Sequence, residues 1–285
     1  MSSMRIIVLT ALSMLAFAGN SVLVRMALTY TDIDAASFTT IRLISGALVL
    51  LVVARMSNKT GRVQGSWWSA AALFVYAAGF SFAYVRLATA TGALLLFGAV
   101  QVMMIGYALW VGERLSRLQV AGLLLAFAGL LLLFLPGLSS TPPLGSALLM
   151  IGAGVGWGVY SLRGQGVGDP IGISAGNFTR ALFFTLILSA VLLNQLSLDR
   201  AGIYYALASG ALMSGLGYAL WYMVMPALKT SNAAIVQLSV PLLAAVGGIV
   251  FLGESITLRL ALASSAILGG IALVILRRST AQIEQ

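Results

Sequence analysis

A chain of 285 residues with 8% charged residues, 60% apolar residues and a mean hydropathy of +1.04 is far from a water-soluble domain, in which about a quarter of residues are charged. Histidine and cysteine are both absent, which excludes disulfides, thiolate nucleophiles, the usual zinc ligands and Ser-His or Cys-His catalysis. The net charge of +9 does not point to nucleic acid, because most basic residues punctuate apolar runs and read as orientation signals of a multi-pass membrane protein.

Hydrocarbon offers the backbone no hydrogen-bond partner, so only helices or closed barrels span it. Runs this long and continuous are helical, not the short alternating strands of an outer-membrane barrel. The first, Ile6 to Val24, is too long for a signal-peptide core and lacks a persuasive small-residue cleavage site, so it reads as a retained helix. Helix 1 is predicted within Ile6 to Leu28, and Asp32 and Asp34 mark the first turn. Helix 2 runs from Ala35 to Ala54 with Arg42 inside it, and Arg55, Lys59 and Arg62 form a basic loop. Helix 3 is Val63 to Val85, helix 4 Leu87 to Gly112 and helix 5 Leu118 to Leu135. Pro136-Gly137 and Pro142-Pro143 break the next uncharged stretch, which places helix 6 at Leu144 to Leu162. Helix 7 is Ile173 to Leu193, helix 8 Ala201 to Met225, helix 9 Thr230 to Phe251 and helix 10 Leu258 to Leu276.

The stretch from Arg86 to Leu135 recurs without a gap 141 residues later, from Ala227 to Leu276. Each copy carries a Gly-Glu pair (Gly112-Glu113; Gly253-Glu254), a hydroxyl residue three further on (Ser116; Thr257) and a glycine in the second run (Gly129; Gly270). Such self-similarity is the mark of an internal duplication. Five helices per copy is an odd number, so the halves enter the membrane from opposite sides. The predicted fold is an all-α polytopic membrane protein with ten transmembrane helices as two inverted five-helix repeats, residues 1–137 and 138–285. With both termini in the cytoplasm, Arg5, Arg55, Lys59, Arg62, Arg114, Arg117, Arg163, Lys229, Arg277 and Arg278 lie inside, against Arg25, Arg86, Arg200 and Arg259 outside.

Two five-helix repeats, a Gly-Glu between the fourth and fifth helix of each, and the clusters Phe17, Gly19, Asn20, Ser21 and Trp157, Gly158, Tyr160, Ser161 resemble the drug/metabolite transporter superfamily of the EamA type. Within it, the ten-helix amino-acid exporters of the YddG kind are the nearest likeness. The family often has Trp-Gly in its first helix where this chain has Phe17-Ala18. The resemblance implies export of amino acids, with aromatic ones included, across a bacterial inner membrane through a central cavity. Its expected partners are the bilayer and a small-molecule substrate, with no nucleic acid, metal or cofactor, and a monomer or weak homodimer.

All seven carboxylates (Asp32, Asp34, Glu113, Asp169, Asp199, Glu254, Glu284) fall at helix ends, in loops or in the tail. An ion-coupled pump usually keeps an acid at depth, and an intramembrane aspartyl protease needs acids there too, so a transporter is expected and an enzyme is not. Glu113 and Glu254 are expected to pair with a nearby arginine (Arg114 or Arg117; Arg259) and to favour the start of the following helix, rather than to act as gates. Arg42 and Arg180, the two charges well inside spans, are expected to snorkel to an interface, with bidentate capture of a substrate carboxylate as the alternative.

Aromatic residues carry the site expectation. Tyr76, Phe80 and Tyr84 recur at i, i+4 and i+8 in helix 3, and Tyr218 and Tyr222 repeat that spacing in helix 8. Phe17 with Asn20, and Trp157 with Tyr160, share faces of helices 1 and 6. Such walls of rings with a few hydroxyls and an amide suit an amphipathic solute. Phe97 and Gln101 in helix 4 and Gln237 in helix 9 complete the cavity set, with Pro241 expected as a mid-helix kink that frees the Gln237 carbonyl. Trp67, Trp68, Trp110 and Trp221 are expected at the headgroup level. Helices 1, 3, 4, 6, 8 and 9 would line the cavity, with helices 5 and 10 as scaffold or dimer contacts. A carrier of nucleotide-type or lipid-linked metabolites, and a channel-like module without alternating access, remain as alternatives.

Overall fold

The computed structural model describes residues 3–57, 64–112, 116–134, 141–164, 169–224 and 236–281, and the regular elements among them are all helical. In chain order they are α1 (Ser3–Tyr30), α2 (Ala35–Met56), α3 (Trp67–Tyr84), α4 (Thr89–Trp110), α5 (Arg117–Phe134), α6 (Leu144–Arg163) and α7 (Pro170–Val191). Then come α8 (Arg200–Ala208), a π-helical segment (Ser209–Leu216), α9 (Gly217–Val224), α10 (Ser239–Leu252) and α11 (Leu258–Ala281). α8, the π segment and α9 make one rod, Arg200–Val224, so the described residues form ten rods. Seven of these are long and apolar enough to cross a membrane. Glu113, Arg114, Lys59, Arg62, Lys229 and Pro136-Gly137 lie outside the described residues.

The bundle is built for lipid. Leu124, Phe127 and Val250 face outward, while Ser13, Thr39, Ser81 and Asn177 are buried among the rods. Three of the five acids among the described residues serve as helix starts: Asp34 Oδ1 accepts from the Ala36 and Ser37 N–H groups at 2.9 Å, and Asp169 and Asp199 cap α7 and α8 through Gly172 and Gly202. A capping oxygen satisfies donors that a helix start leaves open, which explains why these carboxylates stay at the ends.

Packing follows a pseudo-two-fold pattern. α3 and α4 pack on α6 in the same way as the α8–α9 rod and α10 pack on α1, while α2 meets α7 and α5 meets α11. In the last pair, a Cβ on Gly129 would press on Ala263 and Ala266, and one on Gly270 would press on Gly122 and Ala126. Gly129 and Gly270, like Gly122 and Ala263, are 141 positions apart, so each contact is the image of the other. The two rods run antiparallel, which puts the two-fold axis across the rods and makes the repeats inverted. The glycines bring the backbones close, the main source of helix affinity where no hydrophobic force acts.

Two elements differ from expectation. The eighth rod is not a regular α-helix but widens to π geometry over Ser209–Leu216, a feature that collects at functional sites. Of the expected helix from Thr230 to Phe251, residues 230–235 lie outside the described residues; Val236 and Gln237 are helical, Leu238 is a turn, and α10 continues from Ser239. Pro241 follows that turn by three residues, so the helix is interrupted next to the proline, whose missing N–H cannot donate to the Gln237 carbonyl.

Candidate functional site

The i, i+4, i+8 spacing of α3 stacks its rings in line: Tyr76 and Phe80 centroids are 5.5 Å apart, and Phe80 and Tyr84 4.7 Å. Halfway through the bundle this face meets rings from three other rods. Tyr76 lies 4.9 Å from Trp157 of α6, Trp157 lies 5.1 Å from Tyr218 of α9, and Phe17 of α1 meets both Trp157 (6.4 Å) and Tyr218 (5.8 Å) edge-on. The Tyr76–Trp157 and Tyr218–Phe17 contacts are images across the repeats, so Phe17, Tyr76, Trp157 and Tyr218 form a box on the pseudo-two-fold axis. Phe80, Phe97 and Asn20 also line the pocket inside it, together with Ser21, Leu96 and Met213. The pocket holds about 20 Å³, room for about one water molecule. A larger solute enters only if the rings part.

Polar groups fill the seam of the box. Ser209 Oγ donates to Asn20 Oδ1 at 2.6 Å, and Asn20 Nδ2 donates to the Tyr76 hydroxyl at 3.3 Å. That hydroxyl also accepts from Arg42 Nη2 at 2.9 Å, and Arg42 Nε donates to Ser214 Oγ at 3.2 Å. The guanidinium lies 5.2 Å from the Tyr76 ring centroid and 5.0 Å from that of Phe80, a cation–π arrangement. Arg42 is only 1% exposed, and its Nη1 has no hydrogen-bond partner. The snorkelling expectation fails here: α2 approaches the eighth rod too closely for the side chain to escape, since a Cβ at Gly210 would strike the Arg42 carbonyl and Ser45 Oγ. Arg180 does not join the box. Its Nη1 donates to the Gly176 carbonyl at 3.0 Å and the Gln64 carbonyl at 3.4 Å, toward the start of α3.

The other expected residues lie around the box rather than in it. Tyr160 touches Trp157 (5.6 Å) but spends its hydroxyl on Ser174 at 3.1 Å. Tyr222, half-buried, sits a turn beyond Tyr218 in the direction of Gly164. Tyr84 closes the far end of the α3 face, donating to the Thr89 carbonyl at 3.2 Å. Gln101 is buried in α4 and Gln237 is half-buried and engaged before α10; neither lines the central pocket. Trp67, Trp68 and Trp110 are exposed near rod ends as expected, whereas Trp221 is buried with its ring 6.1 Å from Phe17. Its position one turn from Tyr218 turns it inward.

At the end of the bundle beyond Tyr84, Glu254 binds α4 rather than Arg259. Gly253, at φ 66°, reverses the chain after α10, a conformation glycine adopts freely. The Glu254 carboxylate then accepts from the Thr89 N–H at 2.9 Å and from its hydroxyl at 3.1 Å, at the positive end of α4. Arg25 lies 3.7 Å away and holds the Tyr84 and Val85 carbonyls at 2.8 and 3.0 Å. These contacts seal that end over the box.

Sequence reasoning missed the π segment's contribution of Ser209, Met213 and Ser214. Its signal was present: Ser209-Gly210 and Ser214-Gly215 are five residues apart, the spacing that shares a face in a π-helix and not in an α-helix.

The profile of the EamA-like transporter family matches residues 4–135 and again 144–276. An uncharacterized protein of Pseudomonas aeruginosa is 55% identical over 98% of this chain and 97% of its own length. The threonine/homoserine exporter RhtA of Escherichia coli K12 is 33% identical over 112 residues, 38% of each chain. An uncharacterized transporter of Archaeoglobus fulgidus is 26% identical over 86% of this chain and 89% of its own. A crystal structure at 18% identity superposes with a TM-score of 0.68 over 97% of this chain and 99% of that one, a likeness of fold.

Proposed function

The chain belongs to the EamA-like transporter family, and from that premise we propose that it exports small amphipathic solutes bearing a carboxylate, amino acids foremost, across a bacterial inner membrane. The observation that carries this reading is Arg42, a buried guanidinium with a free Nη1 beside an aromatic box and, among the described residues, no carboxylate in contact with it. A charge at depth without a counter-ion is costly. A substrate carboxylate would relieve that cost, and the rings would bury the solute's apolar part. Partial likeness to a threonine/homoserine exporter supports the amino-acid class, and aromatic side chains fit the same box once it opens.

The proposed cycle rocks the two halves about their axis, opening the box to one side at a time. Rupture of the Glu254–Thr89 and Arg25–Tyr84 contacts would open that end of the box; the excess of basic residues at the opposite ends supports taking it as the outer end, with both termini in the cytoplasm. A pocket of about 20 Å³ at the centre favours this carrier over a standing channel. Purified protein in proteoliposomes, tested with a panel of labelled amino acids, should give saturable flux accelerated by unlabelled substrate on the opposite side. The absence of flux for every amino acid would remove the substrate class.

A further inference from the structure

A second arginine is buried without a use. Arg259, in the first turn of α11, is 2% exposed. Its Nη1 reaches the Leu133 carbonyl of α5 at 3.5 Å, a long contact, while Nε and Nη2 have no hydrogen-bond partner. Those two nitrogens form the guanidinium edge that makes two parallel bonds to a carboxylate or phosphate.

Arg259 lines a pocket of about 190 Å³ at the Glu254 end of the bundle. Arg86 lines the same pocket, with Thr91, Thr141, Ser255 and Thr257 adding hydroxyls, and the starts of α4 and α11 both contribute to its wall. No carboxylate is among the described lining residues; Glu254 is next to Ser255 in sequence but is spent on Thr89 and Arg25. Two positive side chains, a set of hydroxyl groups and the start of α11 favour an anion, and the volume suffices for a tetrahedral one.

We infer that this pocket is an oxyanion site, separate from the central box, that takes a phosphate or phosphodiester group through the Nε–Nη2 edge of Arg259. The group could come from an anionic lipid headgroup, since the pocket lies at the rod ends, or from a soluble anion. The site does not depend on the transport reading, because Arg42 is not among the residues that line this pocket.

The test is thermal unfolding of the purified full chain in neutral detergent, with inorganic phosphate against chloride at matched ionic strength, and with short-chain phosphatidylglycerol against phosphatidylcholine. At least one of the two phosphate-bearing probes should raise the midpoint of wild type by several degrees. Response to the lipid identifies a headgroup site, and response to inorganic phosphate alone a soluble anion. R259Q should lose the response, R259K should keep only part of it, and R42Q should retain it in full. If R259Q does not fold, R86Q, which removes an exposed group, carries the test by a weakened response. No response in wild type, or an undiminished one in the folded Arg259 or Arg86 glutamine variant, overturns the inference.

Discussion

Arg42 is the residue on which the proposed chemistry turns, because its Nε and Nη2 are bound and its Nη1 is not. A hydrogen bond to a charged group contributes roughly 1.5–3 kcal/mol, so R42Q should raise the transport KM by about ten-fold or more, measured as initial flux in proteoliposomes. Trp157 touches Tyr76, Phe17, Tyr160 and Tyr218 at once. W157A should reduce transport while leaving membrane insertion intact, and wild-type flux with correct insertion would remove it from the site. Ring spacing made much of the box legible: Phe17, Asn20, Tyr76, Phe80, Phe97, Trp157 and Tyr218 share one pocket. Arg42 was legible as a charge within a span but not as a sealed one. Whether a long side chain reaches an interface is decided by its neighbours, here Gly210 and Ser214 on a rod distant in sequence.

At the scale of elements, the regular rods were legible from their apolar runs and the irregular ones were not. Helix starts such as Asp34 follow from local chemistry, whereas the π segment needs the contact between α2 and the eighth rod to favour it. Asp34 also ties two loops together: its N–H donates to the Ser197 carbonyl at 3.0 Å, and the Ser197 N–H donates to its Oδ2 at 3.0 Å. Burial pushes this carboxyl's pKa upward, but hydrogen bonds from Ser37, Ser197 and Ala36 outweigh it and hold the pKa below the ordinary carboxylate value. A lowered folded-state pKa means stabilisation that is present above the unfolded value of about 3.9 and lost as pH falls through the folded value. D34A should therefore destabilise the protein by about 1 kcal/mol near neutral pH, and the deficit should narrow below about pH 4. A deficit independent of pH in thermal melts would mean that the charge contributes nothing.

For the whole molecule, the duplication and the odd number of rods per copy led to the inverted architecture that the reciprocal α5–α11 contacts display. The second, basic pocket was not legible, because Arg86 and Arg259 are 173 positions apart (259 − 86) and only the meeting of α4, α5 and α11 joins them. The centre of the bundle combines apolar rings with one unanswered positive charge, so what it should demand of a solute is a negative one. The direct measurement is exchange of labelled threonine across proteoliposomes, competed by unlabelled threonine or by its carboxamide. Threonine should compete and the carboxamide should not, and the difference should disappear in R42Q. Equal competition by the two in wild type would contradict a carboxylate held at Arg42.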